Sequence, residues 1–375
     1  MRPLDPIAIR QLLAEIGRDF AARPFTPHPL FTGGHAQTLA AYGWPGRTAL
    51  HPKHQSDEER LFTVAPGVRV LAHCRWQENR RDHPTMVMWH GIEGSSSAGY
   101  MLSTAGKAFL AGFNVVRMNV RNCGGTEHLT PTLYHGGLTE DLRVVVAELI
   151  EHDKLSSLYL VGFSLGGNMV LKLAGEYGED PPSEISGICA LSPSVDLHAS
   201  AELIGERRNW IYHRRFVVSL QRRLNFKRKL YPELYEAGEM PRLQTLREFD
   251  DRFTARAFGF AGVDDYYTRA SALPLLAQVR IPTLMIHAQD DPFIPFAPLR
   301  DPSVAANPYL LLLAPEHGGH VAFVAAKTRA AAAADSGTGI ESSKQQKTED
   351  RFWAENRMVE FCERIEGKLR DPIST

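Results

Sequence analysis

The run Gly162-Phe163-Ser164-Leu165-Gly166-Gly167 constrains this chain more than any other segment. It follows directly on residues 158–161, a short apolar stretch that reads as a buried strand. It leads directly into a helical pattern over residues 167–177, closed by Gly178. A strand, a G-x-S-x-G turn and a helix in that order lift a serine hydroxyl to the edge of a sheet. There it lies at a helix N-terminus, which favours developing negative charge. The flanking glycines are required because a Cβ would clash in so sharp a turn. At average usage of ~7% for Gly and for Ser, a chain of this length gives roughly 0.1 chance matches. The flanking strand and helix lower that figure further, so Ser164 is the candidate nucleophile.

Around this turn the chain alternates short apolar strands with helices. Strands are expected at 61–64 and 68–73, about the Pro66-Gly67 turn, and at 85–89, 114–119, 187–191, 282–287 and 309–313. Helices are expected at 98–110, 138–152 and 351–366. This rhythm implies a mostly parallel sheet covered by helices on both faces. The run 310–313 does not alternate, as expected for a strand buried on both faces. Residues 1–60 read as an N-terminal helix, with Ile7, Ile9, Leu12, Leu13 and Ile16 on its apolar stripe, followed by an irregular wrap rich in Pro, Gly and His. Residues 61–375 read as the catalytic domain, with its core at about 85–324. Two segments break the rhythm: a helical insertion at 197–272 and a low-complexity loop at 325–350 expected to be flexible.

Chains with this turn order their triad as serine, then Asp or Glu, then His. The acid should follow a strand after the nucleophile, and Asp290-Asp291 follows residues 281–287. Asp291 is preferred, with the small Ala288 three residues before it and Pro295 four after; Asp290 is the alternative. The base should follow the last strand, where Pro315-Glu316-His317-Gly318-Gly319-His320 stands. His320 is preferred because two glycines would let the loop carry an imidazole over the sheet edge; His317 is the alternative. The oxyanion hole should use the backbone N–H of Leu165 and one from the loop His90-Gly91-Ile92-Glu93-Gly94-Ser95. Ile92 is the expected second donor, ahead of Glu93.

The remaining features exclude more than they assign. The net charge of −1 offers nothing global to nucleic acid. Charged residues interrupt the apolar stripe near the N-terminus, against a secretory signal, and no apolar run approaches the ~20 residues of a membrane span. Cys74, Cys123, Cys189 and Cys362 are widely spaced, which suits a reducing cytosol and gives no metal pattern. A cytoplasmic location is expected, with no metal and no cofactor. Cys123 reads as a small loop residue rather than a second nucleophile, and His35 as a packing or capping residue.

With these motifs in order the chain resembles the YheT-type α/β-hydrolases, bacterial relatives of eukaryotic acylglycerol lipase-like and phospholipase-like hydrolases. The matching stretches are Gly34-His35-Ala36-Gln37-Thr38-Leu39, the His90 loop, Asn119-Val120-Arg121-Asn122-Cys123-Gly124-Gly125 and Gly162 to Asn168. Further along come Phe249-Asp250-Asp251, Asp265-Tyr266-Tyr267, Asp290-Asp291-Pro292-Phe293 and Gly318-Gly319-His320-Val321. The resemblance implies the α/β-hydrolase fold with a helical lid. It also implies Ser164, Asp291 and His320 in the triad positions and hydrolysis of carboxylic esters, lipid-like ones included.

The insertion carries apolar residues Leu203, Trp210, Ile211, Val217, Leu220 and Leu224 at helical spacing, and many arginines and lysines between 207 and 229. It reads as a lid whose basic residues form a solvated, ion-paired face; the sharper alternative is transient contact with anionic lipid. The expected partner is a small-molecule ester, and oligomeric state is left open. Thioester hydrolysis or acyl transfer would use the same triad, as would a cofactor-free haloperoxidase-like side activity. A non-catalytic binding protein would need a broken triad.

Overall fold

The structure is a computed structural model that describes residues 6–44, 47–48, 57–235, 243–326 and 349–370. Its centre is an eight-stranded sheet in the order β1-β2-β4-β3-β5-β6-β7-β8. The strands are β1 (Glu58–Ala65), β2 (Val68–Arg75), β3 (Thr85–Trp89), β4 (Asn114–Met118), β5 (Leu158–Phe163), β6 (Ile185–Leu191), β7 (Thr283–Ile286) and β8 (Leu310–Leu313). From β4 to β8 every neighbouring pair is parallel, while β1 and β2 form an antiparallel hairpin whose β2 also runs antiparallel to β4.

Why the central strands read as unbroken apolar runs is plain from their packing. Successive side chains point to opposite faces, and both faces are covered. On β3, Val87 and Trp89 enter one core with β5 residues Leu158 and Leu160. Met86 and Met88 enter the other with Tyr159, Val161 and Phe163. The helices α4 (Thr139–Glu151) and α5 (Leu165–Tyr177) fill the first core, through residues such as Leu142, Val146, Val170 and Leu173. The second takes α1 (Pro6–Ala21), α3 (Gly99–Leu110) and the closing helix Trp353–Arg370.

Several expectations are corrected. All four residues of β8 are only half-buried. It is the edge strand, so one side of it lacks a neighbour and its burial is incomplete, but both faces are covered as its unbroken apolar run implies: Leu310 and Leu312 pack against the first core, Leu311 and Leu313 against the second. Ile7 is exposed, and α1 buries Ile9, Leu12, Leu13, Ile16 and Phe20 instead. The wrap is not wholly irregular, because α2 (Gly34–Gly43) lies within it. Its glycine ends and the absence of a side-chain cap hid that helix from pattern reading. The helix after Ser164 begins at Leu165, not at residue 167. The segment 327–348, the bulk of the loop expected to be flexible, lies outside the described residues.

Between β6 and β7 stands a helical cap. It contains α6 (Leu197–Gly205), α7 (Trp210–Leu230), a short helix Leu246–Phe249 running into a π-turn at Asp250–Thr254, and the helix Val263–Ala270. Val217, Leu220 and Leu224 of α7 pack with Ile204, Leu246 and Phe249 and with Phe293 and Ile294 of the main domain. Trp210 and Ile211, expected on that apolar stripe, face solvent instead. Asn168 on α5 joins cap to core: its amide donates to Gly136 O and Ala270 O, and its oxygen accepts from Ala272 N. Among the described residues no helix is long and apolar enough to cross a membrane.

Candidate active site

Chain direction brings the site together: β3, β5, β7 and β8 all end at the same edge of the sheet, and the loop after each contributes one part. Ser164, between β5 and α5, has φ 53° and ψ −115°, a region L-residues rarely occupy. Such strain costs on the order of 1–3 kcal/mol and persists only where the surroundings over-determine it. Here they do. Ser164 N–H donates to Leu191 O (2.9 Å), and its carbonyl accepts from Asn168 N (3.1 Å). A Cβ on Gly162 would lie 2.2 Å from Gly166 O, and one on Gly166 2.4 Å from Trp89 O. Both glycines are therefore fixed by backbone contact.

His320 Nε2 lies 3.0 Å from Ser164 Oγ, and His320 Nδ1 lies 2.8 Å from Asp291 Oδ2. The other Asp291 oxygen accepts from the amides of Phe293 (2.8 Å) and Ile294 (3.1 Å). Burial pushes the Asp291 carboxyl up, but His320 and these donors outweigh it and hold the group below the usual carboxylate range. Gly319 takes φ 63°, the left-handed turn that swings His320 over the sheet edge. The wrap supplies a further support, since Thr38 Oγ1 accepts from His320 N at 2.9 Å.

The neighbouring pair lies outside this line. Asp290 accepts from Gly319 N (3.0 Å) and lies 3.1 Å from His317 Nδ1, on a half-exposed rim. His317 thus braces the loop that carries His320. His35 stacks on Tyr212 of the cap, with ring centroids 5.7 Å apart. Cys123 is fully buried, and burial pushes its thiol up to about 12, so it is no thiolate nucleophile near neutrality.

Ile92 and Leu165 line the same cavity as Ser164 and His320. Among the described residues neither amide has a hydrogen-bond partner. Glu93 N–H is already engaged, donating to Tyr134 Oη at 3.1 Å. His90 anchors the loop from below: it lies 2.7 Å from Gly91 O through Nδ1, and its Nε2 accepts from Val120 N. Burial lowers the His90 ring to about 4, so it stays neutral and can hold both contacts.

Two features were not found by reading the sequence. The first is a clamp between the loop 90–95 and the cap. Glu93 Oε1 accepts from Arg223 Nε (2.9 Å) and Tyr134 Oη (3.0 Å), and Oε2 from Ser219 Oγ (2.6 Å) and Arg223 Nη2 (3.1 Å). Arg223 also reaches Glu127 at 3.2 Å. The partners lie 130 residues apart in the chain, so no local pattern signals them. The second is Asp250, in the π-turn. Its carboxylate accepts from Thr254 Oγ1 and Tyr267 Oη, both at 2.8 Å, and burial pushes its pKa up to about 6. The motif Phe249-Asp250-Asp251 marked this place in the chain without giving it a role.

The cavity over Ser164 encloses about 900 Å³ of unfilled space, part of it open to solvent. Leu133, Leu197, Ile204, Phe216, Leu220 and Leu246 line it, and Arg223, Asp250, Tyr266 and Tyr267 are among the polar groups that join them. A mostly apolar pocket with few placed polar groups suits a small organic ligand.

A family model described as the alpha/beta hydrolase fold matches residues 84–326. The chain is 33% identical over 254 residues to YheT of Escherichia coli, provisionally named an esterase, covering 66% of this chain and 74% of YheT. It is 27% identical over 335 residues to the human phospholipase ABHD3, covering 86% and 81%. It is 30% identical over 252 residues to a monoacylglycerol lipase of Saccharomyces cerevisiae, covering 64% of this chain and 54% of that one.

Proposed function

The chain belongs to the α/β-hydrolase family, and from that premise we propose that it hydrolyses carboxylic esters through an acyl-enzyme on Ser164. The reading rests above all on one observation: Asp291, His320 and Ser164 form an unbroken line of hydrogen bonds ending at an apolar cavity. Ser164 Oγ attacks the acyl carbon while His320 Nε2 takes its proton. Asp291 stays ionised, holds the ring in the correct tautomer and stabilises the imidazolium. The unpartnered amides of Ile92 and Leu165 receive the oxyanion, each worth on the order of 10²–10³ in rate. His320 returns its proton to the leaving alkoxide, then activates the water that frees the acid.

The apolar lining favours lipid-like acyl groups. Burying a methylene is worth about 0.8 kcal/mol, so kcat/KM should rise roughly four-fold per added CH₂ until the cavity is filled. A fluorophosphonate probe should label the wild type and leave Ser164→Ala unlabelled. Equal labelling of the two would remove Ser164 from its role, and an unlabelled wild type would remove the serine mechanism. A p-nitrophenyl ester series then reads the acyl preference, and activity confined to the shortest chains would overturn the lipid-like substrate.

A further inference from the structure

The cap helix α7 has two unlike faces. Inward, Val217, Leu220 and Leu224 are buried, and Arg223 and Lys227 spend their charge on Glu93, Glu127 and the Thr130 carbonyl. Outward, Trp210, Ile211, Arg214, Arg215 and Arg222 are exposed, and the helix contains no Asp or Glu at all. Trp210 and Ile211 are 59% and 63% exposed, though large apolar side chains normally find cover. With Val218 these residues line one shallow groove. Among the described residues Arg214 and Arg222 have no acidic partner, so the ion-paired reading of the basic cap does not extend to these two arginines.

The neighbouring helix α2 extends the same surface. His35 stacks on Tyr212, and Arg215 Nη2 donates to Tyr42 Oη (2.9 Å) with its guanidinium 4.9 Å from that ring. On the face of α2 that meets these groups stand Leu39 and Tyr42, 60% and 76% exposed. The result is a cluster of Leu, Tyr, Trp and Ile side chains interleaved with unpaired arginines. The whole chain carries a net charge of only −1, so this basic character is local.

We propose that the outer face of α7, with Leu39 and Tyr42 of α2, is a docking surface for an anionic lipid bilayer. Charge complementarity selects the partner. Arginines reach the phosphate layer, while Trp, Tyr, Ile and Leu enter the boundary between headgroups and acyl chains. Either signal alone gives weak binding, and here both occupy one face. The geometry also links docking to the cavity. Phe216 and Leu220, on the inner side of this helix, line the space over Ser164. Thr38, within α2, bonds the backbone of His320. A molecule seated on this face would hold the helix that lines the cavity and the helix that supports His320 at the lipid surface.

The test reads binding without turnover, so it stands apart from the ester-hydrolysis reading. The full chain is floated with phosphatidylcholine vesicles, with and without phosphatidylglycerol, at low and high salt. Binding should need the anionic lipid and weaken as salt rises. The triple variant Arg214→Gln, Arg215→Gln, Arg222→Gln should lose about five-fold in affinity per arginine, on the order of a hundred-fold together. Trp210→Ala with Ile211→Ala should weaken binding at both salts. Circular dichroism and hydrolysis of a soluble p-nitrophenyl ester should match wild type in both variants, which separates lost docking from lost folding. Equal binding to neutral and anionic vesicles, binding unchanged in the triple variant, or no binding would each overturn the proposal. Tighter capture by single-stranded DNA than by the anionic vesicles at the same salt would overturn it as well.

Discussion

Replacing Glu93 by Gln should separate the oxyanion loop from the cap while leaving the cavity's shape intact. Glu93 has φ 54°, and its carboxylate accepts from Arg223, Tyr134 and Ser219. Its side chain is 5% exposed and that of Arg223 12%. Breaking a buried pair by neutralising one member typically costs ~3–5 kcal/mol, because the other charge is left uncompensated. Glu127 remains 3.2 Å from Arg223 and offsets part of this, so a loss of about 2–3 kcal/mol is expected. The kinetic effect follows from position, since Ile92 immediately precedes Glu93. If the loop relaxes and the Ile92 amide turns away, kcat should fall by up to 10²–10³. KM should change little, because that hydrogen bond strengthens only as charge develops on the oxygen. Thermal unfolding and steady-state hydrolysis of a soluble p-nitrophenyl ester give the two quantities separately. A lowered Tm with kcat within two-fold of wild type would refute the coupling and leave the clamp a purely structural feature.

Other substitutions probe the remaining parts. Asp291→Asn should lower kcat on the order of 10⁴-fold through loss of the imidazole's orientation, while Asp290→Asn should change it only a few-fold; the reverse ranking would exchange their roles. Gly166→Ala would press a methyl within 2.4 Å of the Trp89 carbonyl and 2.6 Å of that of His90, so Tm should drop by several degrees. An unchanged Tm would mean that the backbone yields there freely. For Asp250 the folded carboxyl, at about 6, lies above its ordinary 3.8. Between those values the unfolded chain has released a proton that the folded protein keeps, so this group's contribution to stability is lost as pH rises through about 6. Asp250→Asn removes that penalty. Its Tm relative to wild type should therefore be higher at pH 8 than at pH 4, by unfolding scans at each pH, and a flat difference would contradict the assignment.

Features that depend on near neighbours along the chain could be read from residue order. The turn around Ser164 was legible because its constraint is local: glycines at two fixed offsets, a strand before and a helix after. Gly162 and Gly166 each have no space for a Cβ. The strands of the parallel sheet were legible because both faces are buried, so apolar residues run unbroken. The same rule holds at residues 310–313, which pack against both cores, but their half-burial could not be read, since position at a sheet edge is a property of strand order and not of the strand. The order Ser164, Asp291, His320 could be read along the chain, but the choice between Asp290 and Asp291 turns on which carboxylate faces the imidazole. Only the tertiary structure sets Asp291 2.8 Å from His320 and turns Asp290 toward His317. It alone decided the contacts of the cap. The basic residues of α7 look alike in sequence, yet Arg223 turns inward to Glu93 while Arg214 and Arg222 face solvent. Pairing across 130 residues depends on how the helix is rotated against the core, and that rotation is set by Val217, Leu220 and Leu224 finding apolar cover together.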